Sequence, residues 1–323
     1  MKHLISFVLA FFISLGVISI AIWQTLGPVS KSTDGLVLIV PQLDDDYDVA
    51  SDLKRLGLIR NEAAFRWFMT IFAVGKSVVP GGFRLNPSMT SWAIVNKITD
   101  TPQFVWVSIR EGLRKEQIGE IVGTHLGWTP EQEQEWNDYN SDSVEYREGV
   151  YFPDTYLLPT DEPVPLVAKR FVDNFNTKFA PYIDKFAAKN IKWTTALKIA
   201  SLIEREAGGL SDMPIISGII WNRLETDMRL EIDATLQYIK GNGEIGWWPR
   251  VVPADKYLES PYNTYRNKGL PPGPISNPGL ATIDAVLNPV ETDCIFYLHA
   301  PDRQIYCSVT YEEHLENIKT YLQ

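Results

Sequence analysis

The sequence has 323 residues, of which 45% are apolar, and a formal net charge of −10 at neutral pH. This length suits one large domain or two modest ones. The acidic balance and the lack of any block rich in Lys or Arg argue against binding to nucleic-acid phosphates. The four histidines are widely spaced, and no phosphate-binding glycine motif occurs. The sequence therefore predicts neither a metal site nor a cofactor.

The N-terminus carries an apolar run that is long enough to cross a membrane. Residues 4–23 contain no charged side chain, and about 20 apolar residues span the hydrocarbon core of a bilayer. A cleaved signal peptide is the alternative, but no cleavage site of small residues follows, and Trp23 marks a membrane interface. We therefore predict an uncleaved single-pass anchor in the inner membrane over residues 1–28. Because Lys2 precedes the run, we expect a cytoplasmic N-terminus and an extracytoplasmic remainder.

Residues 29–147 are predicted to form a small α+β region. The aromatic face of its second helix, which consists of Phe65, Trp67, Phe68 and Phe72, is interpreted as core rather than as a ligand platform. The acidic stretch 131–142 is predicted to be an exposed connection. The patterns predict a strand at 35–40, helices at 47–58 and 61–72, a turn at 81–84, a helix at 88–99, a strand at 104–109 and a helix at 115–122.

Residues 148–323 are predicted to form the larger part of the protein. Helical patterns occupy 163–176, 183–189 and 213–224, and a further helix follows an N-cap at Thr194. Residues 241–280 are rich in Gly and Pro and show little periodicity. A loop this long is usually functional or disordered, and its Trp and Tyr side chains argue against disorder.

The two cysteines lie in short apolar runs on either side of a Pro301-Asp302 turn, which predicts a hairpin. Outside the cytoplasm a disulfide is chemically stable. A hairpin that turns at these two residues places Phe296, rather than Cys294, opposite Cys307. Bridging would require a shift of register, so we expect two free and largely inert thiols.

Two glutamates stand near the end of the helix that follows Thr194. On a helical wheel the apolar residues between 196 and 207 fall on one side, and Glu204 and Glu206 lie on its two flanks. Burial there raises the pKa of a carboxyl toward the range that a general acid needs. The small residues at 207–209 leave room for a ligand. The alternative is that both glutamates simply solvate the end of a helix.

Three later segments combine hydroxyl, amide and aromatic side chains on rigid turns, namely residues 221–238, 260–265 and 268–279. Sugar sites are commonly built in this way, because ring faces stack on aromatic side chains while amides and carboxylates bind hydroxyl groups. Each segment alone is a weak signal, since YNTY at 262–265 also suits an ordinary turn. Together with the two glutamates they predict a carbohydrate site.

With these motifs in hand, the chain resembles the endolytic murein transglycosylase family, whose members are also called YceG-like. The resemblance implies an α+β fold with an N-terminal transmembrane helix, a small LysM-like region at 29–147 and a larger catalytic domain at 148–323. The motifs that carry it occur in family order and are EGVYFPDTY at 148–156, ASLIEREAG at 200–208, MRLEIDATLQY at 228–238, SPYNTYRNKGLPPGPISNPG at 260–279 and TYEEH at 310–314.

The resemblance implies cleavage of peptidoglycan glycan between N-acetylmuramic acid and N-acetylglucosamine, without water, to leave a 1,6-anhydro end. The family's catalytic glutamate falls on Glu204, which would protonate the glycosidic oxygen and then accept the proton of the C6 hydroxyl. Glu206 and Glu148 are secondary candidates for charge support. Penicillin-binding glycan synthases are implied as partners. The residues expected to hold the sugar are Asp233, Thr235, Tyr262, Asn263, Thr264 and Tyr265.

Two departures from the family pattern bear on the mechanism. Ala234 stands where the family often has Pro, and Arg303-Gln304 replaces a Gly-His pair, so a supporting histidine does not carry over at that position. Two alternatives stay open. One is a hydrolytic muramidase that uses Glu204 with Asp233 as base or nucleophile. The other is a non-catalytic glycan-binding scaffold.

Overall fold

The computed structural model describes residues 2–42, 46–139 and 147–322. The chain forms two compact units. The first contains residues 1–107 and 156–162, and the second contains 108–155 and 163–323. Both combine helices with a sheet, which confirms the predicted α+β class.

The N-terminal helix α1 (Lys2–Leu26) is long and apolar enough to cross a membrane. Its large apolar side chains from Phe7 to Trp23 are exposed. Such a continuous apolar surface is characteristic of a segment that contacts lipid or another protein. The helix therefore fits the predicted single-pass anchor.

The first unit is built on a four-stranded sheet with the strand order β1-β2-β3-β4, in which β2 pairs antiparallel with both β1 and β3. Leu38, Phe65, Phe83 and Ile94 are fully buried in one core between this sheet and its helices. The elements are β1 (Leu36–Val40), α2 (Val49–Arg55), α3 (Glu62–Phe72), β2 (Gly81–Leu85), α4 (Ser91–Ile98), β3 (Phe104–Ser108) and β4 (Thr155–Pro159).

The predicted turn at 81–84 is wrong, because these residues form strand β2. Two glycines in succession favour a turn locally, but Gly82 pairs with Phe104 of β3. A Cβ on Gly82 would lie only 2.7 Å from the Phe104 Cβ. The glycine is therefore needed for the close approach of the Phe104 ring to the strand.

The aromatic face of α3 divides between core and surface. Phe65 and Phe68 are buried, as predicted for a core stripe, whereas Trp67 is 63% exposed and Phe72 is 49% exposed. The prediction of core therefore holds for two of the four rings. The helix begins where the Asn61 side chain accepts a hydrogen bond from the Ala64 amide at 2.9 Å.

The second unit surrounds helix α8, which packs on the helices before and after it in the chain. Its residues between Ala196 and Ile203 are almost all buried. The helix begins at Trp193, so Thr194 lies inside it instead of at its N-cap. The elements of this unit are α5 (Lys115–Leu126), α6 (Pro130–Asp138), α7 (Val164–Ala188), α8 (Trp193–Glu206), α9 (Met213–Glu225), α10 (Asp233–Lys240), α11 (Leu280–Leu287), β5 (Phe296–His299), β6 (Ile305–Ser308) and α12 (Tyr311–Tyr321).

Two predictions about the helices of this unit are wrong. Most of the predicted connection at 131–142 is helix α6, capped by Thr129 and anchored by the fully buried Trp136; residues 140–142 lie outside the described residues. The two helices expected at 163–176 and 183–189 are one helix, α7, which runs through Pro181. Pro181 is exposed, while Phe179 packs beside it against Trp193 at 6.2 Å between ring centroids. This packing holds the helix together across the proline.

The hairpin of β5 and β6 also differs from its prediction, since Cys294 and Cys307 form a disulfide with their Cα atoms 5.8 Å apart. The expectation of free thiols was therefore wrong. Strand pairing places Tyr297 opposite Cys307 and Phe296 opposite Ser308. The Ile295 amide also donates to the Ser308 carbonyl at 3.0 Å. Ile295 and Phe296 thus both lie opposite Ser308, as in a β-bulge. Cys294 precedes β5, so it reaches Cys307 from outside the strand pairing.

Candidate active site

Glu206 is the last residue of α8 and is half-buried. Its Oε2 accepts a hydrogen bond from the Tyr297 hydroxyl of β5 at 2.6 Å. Burial raises the pKa of Glu206, and the nearby Asp233 raises it further, while the Tyr297 hydrogen bond lowers it. The net effect is a raised pKa, which keeps this carboxyl protonated at a higher pH than an exposed glutamate.

A cavity of about 330 Å³ lies against Glu206. This volume is at the lower end of the range for small-molecule sites. Its walls combine carboxylates, cations and aromatic rings, which is the mixture expected for a sugar site. The residues that line it are Glu206, Arg223, Leu230, Glu231, Asp233, Lys256, Tyr265, Phe296, Tyr297, Tyr311 and His314.

Asp233 and Tyr265, both predicted to bind sugar, meet in this cavity. Asp233 is the first residue of α10, and the Tyr265 hydroxyl donates to its Oδ1 at 2.7 Å. Burial and the Asp233 carboxylate raise the pKa of Tyr265, so its hydroxyl is a stable donor at neutral pH. The pair therefore offers a fixed carboxylate next to the acid of Glu206.

Arg223 gives the cavity a fixed positive charge. It lies on α9, and its guanidinium donates to the carbonyls of Ile295 at 2.6 Å and Leu230 at 2.5 Å. Burial lowers the pKa of Arg223, but an arginine remains protonated at neutral pH. These bonds also tie α9 to the residue before β5, the strand that carries Tyr297.

Glu204, predicted to be the catalytic residue, has different surroundings. Its Oε2 accepts hydrogen bonds from the Gly279 amide at 3.0 Å and the Thr282 hydroxyl at 2.9 Å, at the start of α11. Burial raises the pKa of Glu204 as well. Glu204 is not among the residues that line the cavity beside Glu206. The two carboxyls are separated by about 200° around a helix of 3.6 residues per turn, so they face different neighbours.

Three of the predicted sugar-binding residues are buried and bonded to other parts of the protein. Thr235 and Asn263 have no exposed surface, and Thr264 is 1% exposed. The hydroxyls of Thr235 and Thr264 are 3.0 Å apart, and Thr264 accepts from the Ile232 amide at 3.0 Å. The Asn263 amide donates to the carbonyl of Leu258 at 2.8 Å. These contacts fix the loop that presents Tyr265, whereas direct contact with a sugar stays a prediction.

Tyr262 lies beside a neighbouring ring, with its centroid 5.0 Å from that of Tyr238. It is not among the residues that line the cavity with Asp233 and Tyr265. The structure therefore brings two of the six predicted sugar-binding residues, together with the secondary candidate Glu206, to one cavity.

Glu148, the other secondary candidate, is fully enclosed in the second unit. Its carboxyl accepts hydrogen bonds from the Lys115 amide at 3.1 Å, the Gly149 amide at 3.3 Å and the Asn277 side chain at 2.5 Å. Burial raises the pKa of Glu148 to about 8 despite these donors. Glu148 is only 6% exposed. Its bonds to Lys115 and Asn277 join segments of the chain that are far apart in sequence.

Several cavity residues were missed by the sequence interpretation. Phe296 and Tyr297 lie in a short apolar run, so no polar motif marked them. Lys256 lies just before the polar motif at 260–265 and was not assigned a role. His314 was part of a family motif but had no assigned role, and its Nδ1 has no hydrogen-bond partner within the part of the chain that the structure describes. Strand β5, whose Tyr297 lies 91 residues after Glu206, thus contributes side chains to the cavity.

The fold and site define a mixed helix-and-sheet protein with an N-terminal apolar helix and a carboxyl-lined cavity at the end of a central helix. The model of the YceG-like family matches residues 38–320. Because this match spans most of the sequence, the chain belongs to the YceG-like family.

Relatives and a solved structure extend this comparison. The chain is 28% identical over 321 residues to the endolytic murein transglycosylase of Bacillus subtilis (strain 168), covering 92% of this chain and 88% of that one. It is 24% identical to the endolytic murein transglycosylase of Streptococcus pneumoniae serotype 2 (strain D39 / NCTC 7466), covering 99% of this chain but only 66% of that one. A crystal structure of a YceG-like protein from Listeria monocytogenes aligns with a TM-score of 0.60 and 26% identity, covering 88% of this chain and 99% of that one.

Proposed function

We propose that the protein is a lytic transglycosylase that cleaves the glycan strands of peptidoglycan within the strand. Its relatives in two species bear the name endolytic murein transglycosylase. The observation that carries the proposal is the half-buried carboxyl of Glu206, which lines a cavity together with Asp233, Tyr265 and Arg223. The bond cleaved is the β-1,4 bond between N-acetylmuramic acid and N-acetylglucosamine.

The chemistry needs one group that first gives and then accepts a proton. The protonated carboxyl donates its proton to the glycosidic oxygen, the bond from C1 to that oxygen breaks, and the sugar gains oxocarbenium character. The C6 hydroxyl of the same muramyl residue then attacks C1, and the carboxylate accepts its proton as the 1,6-anhydro ring closes. Water does not enter the reaction, and the protein supplies no nucleophile. Proton transfer of this kind contributes about 10²–10⁴-fold to a rate.

We assign this proton transfer to Glu206, with Glu204 as the alternative predicted from the sequence. Both carboxyls have raised pKa values because of burial. Glu206 lines the cavity that also contains Asp233 and Tyr265, and its Oε2 accepts one hydrogen bond, from Tyr297. Glu204 does not line this cavity, and its Oε2 accepts two hydrogen bonds at the start of α11. A catalytic acid must come within hydrogen-bond reach of the glycosidic oxygen. The geometry therefore favours Glu206, while the assignment to Glu204 stays a prediction.

Other parts of the proposal concern location and partners. The apolar helix α1 would anchor the protein in the inner membrane with its N-terminus in the cytoplasm, since Lys2 precedes the apolar run. The site would then act outside the cytoplasm on newly made glycan. We further propose penicillin-binding glycan synthases as partners and a LysM-like, glycan-binding character for residues 29–147.

A hydrolytic muramidase is the second candidate, because Asp233 is a second carboxylate in the cavity of Glu206. Two carboxylates flank the scissile bond in ordinary glycosidases, where one activates water or acts as nucleophile. We expect purified glycan strands digested by the protein to carry anhydro ends. Mass spectrometry distinguishes the two reactions, because hydrolysis adds one water to the product and intramolecular attack does not. Products heavier by one water would support the hydrolase.

The pH dependence of turnover should report on the contact between Tyr297 and Glu206. The Tyr297 hydroxyl donates to the carboxyl and so lowers the pKa of Glu206, against the larger effect of burial. Replacing Tyr297 with Phe removes that donor and raises the pKa of Glu206 further. Activity depends on the protonated acid, so it should persist to higher pH in Tyr297→Phe than in wild type. Rates of glycan release measured over a series of pH values check this. The prediction would be contradicted if activity fell at the same alkaline pH in the variant and in wild type.

A further inference from the structure

The second unit contains a larger cavity, of about 850 Å³, that the reaction does not use. It lies between the end of α7, the start of α8, the outer side of α9 and the segment that follows α11. None of the residues that line it lines the cavity beside Glu206. Its volume is near the upper end of the range for small-molecule sites, which leaves room for a short peptide.

One wall of this cavity is fixed by hydrogen bonds to α9. The Asn222 side chain donates to the carbonyls of Thr292 at 2.6 Å and Cys294 at 3.0 Å. The Val290 amide donates to the carbonyl of Pro214 at 2.9 Å. Gly218 permits this approach, because a Cβ there would lie 2.3 Å from the Val290 carbonyl oxygen. The wall is therefore a built part of the unit.

The rim of the cavity carries charges of both signs beside one large ring. The lining residues that matter here are Lys189, Lys192, Trp221, Glu225, Glu291 and Asp293. Within the described part of the chain, no salt bridge joins any of the five charged side chains to a partner. The two lysines come from the α7–α8 side, and two of the acids come from the segment after α11. Charges separated in this way complement a ligand that carries both carboxylates and an amino group.

We infer that this cavity binds the short peptide attached to the muramyl residues of peptidoglycan. This inference rests on the proposed function. The glycan itself is an uncharged polymer once the lactyl groups are joined to peptide, so the separated charges have no role in binding bare glycan. A stem peptide carries free carboxylates and a free amino group, which match the lysines and the acids. The partly exposed ring of Trp221 offers an apolar surface for its side chains.

The placement of the cavity explains how peptide binding would assist cleavage. Trp221 and Asn222 precede Arg223, which lines the catalytic cavity, on the same helix. The wall at 290–294 continues into β5, which carries Tyr297, the donor to Glu206. A peptide held here would position the strand to which it is attached relative to the acid. Peptide-bearing strands should then have a lower KM than strands stripped of peptide by an amidase.

The test uses the full chain in detergent micelles and a synthetic tetrapeptide with two or more free carboxylates and one free amino group. The control ligand is the same peptide with its charges blocked by amidation and acetylation. Calorimetric titration should show saturable binding of the charged peptide and no binding of the blocked peptide. Lys192→Glu and Asp293→Lys, both on exposed side chains, should each weaken binding by about tenfold, the effect of one reversed rim charge. Thermal melting of both variants verifies that they fold.

The outcomes separate this inference from the proposed function. Glu206→Gln should bind the peptide as wild type does, although it does not cleave glycan. No saturable binding by wild type, equal binding of the blocked peptide, or unchanged binding in both charge variants would overturn the inference. Release of anhydro-ended glycan without peptide binding contradicts the peptide site alone. Peptide binding without release of such ends contradicts the proposed function alone.

Discussion

Replacement of Glu206 by Gln is expected to slow the release of glycan ends by about 10²–10⁴-fold, the usual contribution of a positioned acid and base. Gln has nearly the same shape and can still accept the hydrogen bond from the Tyr297 hydroxyl, which is 2.6 Å from the carboxyl in wild type. It cannot give a proton to the glycosidic oxygen. Turnover of purified strands, followed by the number of new chain ends per minute, measures the loss.

Glu204→Gln is the matched control because it makes the same chemical change two residues earlier on α8. An amide at this position can still accept from the Gly279 amide and the Thr282 hydroxyl. We expect turnover within about tenfold of wild type, since the change weakens only hydrogen bonds that join α8 to α11. Full activity of Glu206→Gln together with an inactive Glu204→Gln would reverse our assignment of the proton transfer.

Replacement of Glu148 by Gln is expected to change the pH dependence of stability strongly. The pKa of this carboxyl is about 8 in the folded protein, against a usual value of 4.5. The folded state therefore binds the proton more tightly than the unfolded state, so wild type loses stability as the pH rises from 4.5 to 8. Gln does not titrate and is free of this loss. The difference in unfolding free energy between the variant and wild type should therefore shift in favour of the variant between pH 4.5 and pH 8. We expect this shift to be on the order of a few kcal/mol.

Thermal melting of the full chain in detergent at a series of pH values measures this effect. Glu148→Leu is the companion variant, because Leu keeps the bulk but offers no acceptor to the Lys115 amide and the Asn277 side chain. It should be destabilised by about 1–3 kcal/mol for each buried donor that loses its partner. A difference between wild type and Glu148→Gln that is constant from pH 4.5 to pH 8 would contradict a raised pKa of Glu148.

Elements with local signals were predicted well from the sequence. The helix predicted at 61–72 is α3, and the apolar face of α8 is buried as its periodicity indicated. The failures depend on distant contacts. Gly82 belongs to a strand because Phe104 packs against it, and α7 continues through Pro181 because Phe179 packs on Trp193. Neither contact can be deduced from the residues next to the glycine or the proline.

The candidate site shows the same division. Sequence patterns identified the helix end that carries both glutamates and the residues Asp233 and Tyr265, which meet at 2.7 Å. They could not decide which glutamate faces the cavity, because both flank the apolar side of α8. That choice depends on Tyr297, which reaches Glu206 from a strand 91 residues further along the chain. The disulfide escaped prediction because Cys294 lies before β5, so the register of the strands does not determine its distance from Cys307.

The most direct test of this account is mass spectrometry of the glycan ends that wild type, Glu204→Gln and Glu206→Gln release from the same purified strands. We predict 1,6-anhydro ends from wild type and from Glu204→Gln, and none above background from Glu206→Gln. Anhydro ends from Glu206→Gln at the wild-type level, or wild-type ends that are heavier by one water, would contradict it.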